Sequence, residues 1–257
     1  KKRVAFIFPG QGAQYVGMGE DFYDQFASAK EVFHYADEIL NFPLKDLIFN
    51  GPSHDLTLTK NAQVAIYVTS MAILAVLHQK MPDLVPTVCA GLSLGEYTAL
   101  TASDRLDFAS AVRLVRSRGL FMQEAGEKYP GTMSVVLGMS PDAVENICKE
   151  IDGVWVANLN CPGQVVISGT EAGVLAAGEK LKEAGAKRVL PLQVSGAFHS
   201  GLMQEAQDRL EPNIRDVVLR ESAIGLVMNA CGDYVADTDK IRDNMIAQVT
   251  SPVRWEE

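Results

Sequence analysis

The serine at position 93 stands between two glycines, in Gly91-Leu92-Ser93-Leu94-Gly95. A short apolar run, Thr87-Val88-Cys89-Ala90, precedes it, and a helical pattern opens near Glu96. This is the setting of a nucleophile elbow, in which a strand turns sharply into a helix and small residues flank the exposed hydroxyl. The helix N-terminus beneath such a turn offers N–H groups and the positive end of a dipole, where an oxyanion can settle. A serine hydroxyl needs a base. Among the four histidines, His34 lies in an amphipathic helical stretch, His54 in a polar loop after Gly51-Pro52, and His78 near a helix end. Each of these reads as a surface histidine. His199 differs. In Ser195-Gly196-Ala197-Phe198-His199-Ser200 it follows the last strand of a small domain, and strand-exit loops at domain junctions line clefts. Arg118 lies on a helix whose apolar stripe is Phe108, Ala111, Val115 and Met122. At 100° per residue it falls on the flank of that stripe, nearer its centre than Arg113 or Arg116. It is either a snorkelling arginine with its head in water or one aimed at an anion in a cleft.

Other tempting signals carry less. Gly10-Gln11-Gly12 with Gly17 follows a strand, but the spacing is not that of a dinucleotide fingerprint and no phosphate-binding lysine follows. Asp233, Asp237 and Asp239 lack the spacing of a calcium loop. No histidine–cysteine spacing suits a metal, so no metal site is expected.

The elements that must position these residues alternate. Val4–Phe8 is an all-apolar run closed by Pro9-Gly10, as expected of a central parallel strand. Helical patterns cover about Asp21 to Leu40 and Asn61 to Gln79, and another covers roughly Asp107 to Ala125. Strands alternating with helices predict an α/β fold. After Gly126 the order changes: a strand at Met133–Leu137, a helix at Pro141–Ile151, strands at Val154–Ala157 and Val165–Ser168, a helix at Glu171–Ala184 and a strand at Arg188–Val194. That βαββαβ order is the ferredoxin-like split unit. The expected division is therefore a larger domain of residues 1–126 and 196–257 with a small domain of residues 127–195 inserted. The larger domain resumes with a helix from Leu202, a strand at Gly225–Asn229 and a last helix before Ser251-Pro252.

Composition sets the outer limits. At 257 residues roughly 70–75% of the unfolded surface can be buried. Hydrophobic residues at 47% and charged residues at 21% exclude a disordered chain, a collagen or a coiled coil. A net charge of −9 argues against general nucleic-acid binding, which needs a basic surface. The cysteines at 89, 148, 161 and 231 form no CxxC pair and point to a reducing compartment, so a cytoplasmic location is expected. Lys1-Lys2-Arg3 followed by Val4–Phe8 imitates a signal peptide, but five apolar residues are too few for one. The most apolar helix, Val64 to Leu77, is 14 residues long, which is too short for a bilayer of about 30 Å, so no membrane association is expected. The absence of an initiator methionine and the stop at Glu257 suggest trimming at both ends.

Taken together, these residues resemble the malonyl-CoA:acyl-carrier-protein transacylases of bacterial-type fatty acid synthesis. The opening motif of that family looks like Phe8-Pro9-Gly10-Gln11-Gly12-Ala13-Gln14 with Gly17-Met18-Gly19, and its nucleophile motif like Gly91-Leu92-Ser93-Leu94-Gly95-Glu96-Tyr97. Further matches are Arg118-Gly119, Asn158 with Asn160-Cys161-Pro162-Gly163-Gln164, Ala184-Gly185-Ala186-Lys187-Arg188, and Gln248 with Pro252-Val253 and Trp255. The matches run from residue 4 to 255. Many members carry histidine where this chain has Leu92, and members continue past the tryptophan with a helix, a strand and a GPG turn that this sequence does not carry.

The resemblance implies an α/β-hydrolase-like core with a mostly parallel sheet and a ferredoxin-like insert. It implies that Ser93 is acylated, that His199 is its general base, and that the backbone carbonyl of Gln248 orients that base. It further implies an oxyanion hole made by the backbone N–H groups of Gln11 and Leu94, and a malonyl carboxylate held by Arg118. Ala197-Phe198 before the histidine looks like the malonyl-type motif. No cofactor is expected. Malonyl-CoA and acyl carrier protein are the expected partners, and a monomer is expected. Acyl carrier protein is acidic and so is this chain, so docking needs a local basic patch. Lys180, Lys182, Lys187 and Arg188 are the candidates, against a plain solvated helix face. A hydrolase remains the competing enzyme class. No acid is marked by its context as a third triad member, and an arginine in the acyl site suits a carboxylate-bearing substrate better. A non-catalytic carrier-binding module would lack the serine, histidine or arginine, and all are present.

Overall fold

The computed structural model describes residues 3–257; Lys1 and Lys2 of the basic opening lie outside the described residues. In chain order the elements are β1 (Ala5–Phe8), α1 (Glu20–Gln25), α2 (Ala27–Leu40), α3 (Leu44–Asn50), α4 (Ser53–Thr57), α5 (Thr59–Lys80), β2 (Val88–Gly91), α6 (Gly95–Ala102) and α7 (Phe108–Lys128). There follow β3 (Thr132–Leu137), α8 (Pro141–Lys149), β4 (Val154–Cys161), β5 (Gln164–Gly169), α9 (Glu171–Glu183) and β6 (Arg188–Pro191). A 3-10 turn at Gly201–Met203 leads into α10 (Gln204–Asp216), β7 (Gly225–Met228), β8 (Asp233–Tyr234), α11 (Thr238–Ala247) and β9 (Val253–Arg254).

The chain forms two compact units. One holds the residues up to Leu120 together with Arg215–Met228 and Tyr234–Ile241. Its sheet runs in the order β1-β2-β7-β8, with β1 parallel to β2 and β2 parallel to β7. Parallel strands need helical crossovers, and α5 supplies the longest of them. The expected 14-residue apolar run is the middle of this 22-residue helix, which by length and composition alone could cross a membrane. Length therefore does not exclude a span. Its apolar character is accounted for inside the unit, where Ala62 through Val68 are all buried. The single helix expected from Asp21 to Leu40 is two helices, because Phe26 takes extended dihedrals (φ −129°, ψ 123°) between them. Helix α2 buries Ala29, Phe33 and Ala36, a four-then-three spacing on one face, which is the periodicity that masked the break. Helices α3 and α4 were not expected. Each is under two turns long, and His54 sits in α4 rather than in a loop.

The other unit holds Phe121–Ile214, Asn229–Asp233 and Arg242–Glu257. Its sheet order is β6-β3-β5-β4-β9. Strands β3 and β4 are both antiparallel to β5, which lies between them, so β3-α8-β4 is a split βαβ unit and the ferredoxin-like order stands. Helices α8 and α9 begin at side-chain caps: Ser140 Oγ accepts from Ala143 N–H, and Thr170 Oγ1 accepts from Gly173 N–H. They pack over Val136, Val165 and Ile167 with Val144, Val174 and Leu181. This unit is larger than the small domain expected at 127–195. Strand β9, not expected from its two residues, pairs parallel with β4, and the Trp255 and Glu256 N–H groups both donate to the Leu159 carbonyl, tying the last residues to this sheet. The β4–β5 connection shortens to Pro162-Gly163, because Cys161 stays in register with Gln164. Strand β6 stops at Pro191 rather than Val194, although the Leu192 N–H still donates to the Met133 carbonyl of β3 at 2.9 Å.

Candidate functional site

Ser93 stands at the crest of a strained turn. Strand β2 ends at Gly91, α6 begins at Gly95, and Ser93 between them takes a left-handed φ of 51°. Both motif glycines are required by close approach. A Cβ on Gly91 would lie 1.9 Å from the Gly95 carbonyl carbon and oxygen, and one on Gly95 would lie 2.4 Å from the Phe8 carbonyl oxygen of β1. Gly91→Ala is accordingly expected to cost on the order of 3 kcal/mol. That lowers the thermal midpoint by roughly 6–12 °C, read by circular dichroism. An unchanged midpoint would mean that the elbow accommodates a side chain freely.

The serine faces an arginine. The Arg118 guanidinium, on α7, donates through Nη2 to Ser93 Oγ at 3.0 Å and through Nη1 to Gln63 Oε1 at 2.6 Å. Arg118 is 1% exposed, so the snorkelling alternative fails: the head is inside, not in water. Its carbon centre sits 5.6 Å from the Tyr97 ring centroid, and Tyr97 is itself fully buried. Burial pulls the Arg118 pKa below its ordinary value, and Tyr97 and the buried Glu96 oppose that pull. Burial pushes the Tyr97 hydroxyl up to about 12, so it stays neutral beside the arginine. Gln63 was not singled out from the sequence. Its signal was an uncharged polar residue at the start of an apolar helical run, between Ala62 and Val64.

Gln11 and Leu94 lie on the two loops that flank the strand ends. Neither backbone N–H donates to another group among the described residues. The Gln11 side chain donates through Nε2 to Thr59 Oγ1 at 3.2 Å.

His199 is 3% exposed and also left-handed, with φ 54°. Its Nδ1 lies 2.8 Å from the Gln248 carbonyl oxygen. A carbonyl only accepts, so Nδ1 carries the proton and Nε2 holds the basic lone pair. The buried Gln248 side chain donates to Asn229 Oδ1 at 3.1 Å, which fixes the segment bearing that carbonyl. The other histidines are exposed: His34 contacts the Tyr23 hydroxyl, and His54 pairs with Asp55. All four candidate docking residues are exposed, Lys180 and Lys182 on α9, Lys187 in the turn after it and Arg188 at the start of β6. Lys180 pairs with Glu150 at 3.4 Å, and the Lys187 stem covers Gly138.

A buried cation beside an elbow serine suits an acyl group that carries a negative charge, and similarity to known proteins points to acyl transfer. A sequence model of the acyl transferase domain family matches residues 5–257. A relative from Bacillus subtilis named malonyl CoA-acyl carrier protein transacylase is 44% identical, over 99% of this chain and 81% of its own length. The chain belongs to the malonyl-CoA:acyl-carrier-protein transacylase family. It is thus an acyltransferase with the α/β-hydrolase-like fold and ferredoxin-like insert of that family. A second transacylase of the same name, from Haemophilus influenzae, is 40% identical over 100% of this chain and 83% of its own. An acyl carrier protein S-malonyltransferase structure from Vibrio cholerae matches with a TM-score of 0.93 and 40% identity, covering 99% of this chain and 84% of that one. Another transacylase, solved in complex with its type II polyketide synthase acyl-carrier protein, matches at a TM-score of 0.93 and 37% identity, covering 99% of this chain and 83% of that one.

Proposed function

We propose that this chain transfers the malonyl group of malonyl-CoA to the phosphopantetheine thiol of acyl carrier protein, through a malonyl-serine on Ser93. The observation that carries the reading is the buried Arg118 fork on Ser93 Oγ. A permanent cation there stabilises an acyl group that ends in a carboxylate and leaves an uncharged one without a partner. In the first half-reaction Ser93 Oγ attacks the thioester carbonyl carbon and gives its proton to Nε2 of His199. The tetrahedral oxyanion takes hydrogen bonds from the Gln11 and Leu94 N–H groups. As the C–S bond breaks, the coenzyme A sulfur leaves with the proton held by His199. In the second half, the carrier thiol gives its proton to His199 and attacks the acyl-serine. The C–O bond breaks and Ser93 recovers a proton. Thioester to ester to thioester is nearly balanced in energy, so two similar steps replace one hard one.

The same reading takes no cofactor, an acidic carrier protein docked at Lys180, Lys182, Lys187 and Arg188, and a product that supplies fatty acid synthesis. It places the enzyme in the cytoplasm as a monomer; its four cysteines form no disulfide among the described residues, and burial pushes the Cys89 thiol up to about 12. Intact-protein mass spectrometry after mixing with malonyl-CoA tests the intermediate. Wild type is expected to gain one malonyl mass and Ser93→Ala none. Equal labelling of the alanine variant would remove Ser93 from the mechanism.

A further inference from the structure

We propose that Gln63 determines acyl-group selectivity by fixing the Arg118 fork without placing a charge on it; the proposal rests on the malonyl-transfer reading above. Gln63 is 1% exposed, on a stretch of α5 in which Ala62, Val64 and Ala65 are fully buried. An amide in such surroundings is costly unless its hydrogen bonds are made. Its Oε1 accepts from Arg118 Nη1 at 2.6 Å, while Nη2 of the same planar group reaches Ser93 Oγ at 3.0 Å. The two terminal nitrogens are thus fixed by two separate elements, α5 and the elbow. The Tyr97 ring centroid lies 5.6 Å from the guanidinium carbon. Two hydrogen bonds to separate elements and a neighbouring ring leave the fork little freedom to rotate, which holds its direction relative to Ser93.

The residue type matters as much as the contact. A carboxylate at position 63 would hold the arginine at least as firmly, but it would occupy the fork with the charge that the substrate must bring. Glu96, buried in α6, already supplies a carboxylate within electrostatic reach of the guanidinium. Gln63 adds a positioning contact and no second one. Helix α5 makes a second polar contact of this kind. Thr59, one turn before Gln63 and on the same face, accepts from the Gln11 side chain at 3.2 Å. Gln63 is therefore a positioning residue acting through Arg118.

The test measures kcat/KM and KM for malonyl-CoA and for acetyl-CoA, with holo acyl carrier protein as acceptor. Four proteins are compared: wild type, Gln63→Glu, Gln63→Leu and Arg118→Ala. Gln63→Glu keeps the side-chain shape and is expected to lower malonyl kcat/KM by about 10–100-fold through like-charge opposition, with acetyl turnover changed less than about threefold. Gln63→Leu removes the anchor and is expected to lower the malonyl-to-acetyl ratio by about 10-fold, mainly through the malonyl KM. Equal losses for the two substrates, whether from a damaged site or a poorly folded protein, overturn the proposal, and so does a wild-type ratio in both Gln63 variants. If wild type shows no malonyl preference, or Arg118→Ala keeps the wild-type ratio, the functional reading itself fails. If those two proteins behave as expected and the Gln63 variants keep the ratio, only the role of Gln63 falls.

Discussion

His199→Ala is expected to slow both serine acylation and transfer to acyl carrier protein by about 10²–10⁴-fold, the usual worth of a positioned base. The expectation follows from a tautomer. With Nδ1–H committed to the Gln248 carbonyl at 2.8 Å, the imidazole can take a proton only at Nε2. At 3% exposure, bulk water does not substitute for the missing ring. No other histidine is buried; His34, His54 and His78 are all exposed. Stopped-flow acylation with malonyl-CoA reads the first step, and single-turnover transfer from preformed malonyl-enzyme reads the second. Because the same ring serves both, the two rates should fall together. Unchanged acylation would show that another group takes the serine proton. A fall in the second step alone would confine His199 to deacylation.

Arg118→Ala is expected to lower the ratio of malonyl to acetyl kcat/KM by about 10²-fold or more. The malonyl carboxylate loses a charge-assisted partner, on the order of 2–5 kcal/mol for a desolvated pair, and each 1.4 kcal/mol is tenfold. The acetyl reaction has no carboxylate to lose. Wild type should also handle acetyl-CoA poorly, since that acyl group brings no carboxylate to pair with the buried guanidinium. Arg118→Lys should recover only part of the ratio, because an ammonium on a flexible stem cannot reproduce the planar fork that Ser93 and Gln63 hold. Steady-state kinetics with both substrates on the three proteins decides the matter. Parallel losses would make Arg118 structural.

How far the sequence could be read depended on the range of the forces involved. The elbow was legible because its causes are local: two glycines within five residues, a strand before and a helix after. The split βαβ order was legible for the same reason, each element announcing itself by its own periodicity. Arg118 was half legible. Its place on the flank of an apolar stripe left both a solvent-facing and an anion-facing outcome, and only the packing of α5 against α7 brings the head inside. Gln63 showed only as a polar residue in an apolar run, and its role could not be read because its meaning is a contact 55 residues away. The orienting carbonyl of Gln248 could not be read from residue types at all, since every residue has a carbonyl; family resemblance supplied it. Strand β9 has two residues, too few for any alternation to register, and it exists because β4 offers it an edge. The break at Phe26 is a backbone event inside a side-chain pattern that carries on across it.

The left-handed dihedrals of Ser93 and His199 have an evolutionary consequence. Neither is glycine, and each costs about 1–3 kcal/mol of local strain. Against a total folding free energy of about 5–15 kcal/mol for an ordinary domain, two such residues are a heavy burden. Glycine at either position would relieve it. A library of variants selected for heat resistance alone would therefore drift toward glycine at positions 93 and 199, gaining stability while discarding turnover. Thermostable descendants of this chain have to be screened for activity at every round. The safer gains lie at positions such as exposed Leu175 on α9, far in the sequence from either strained residue.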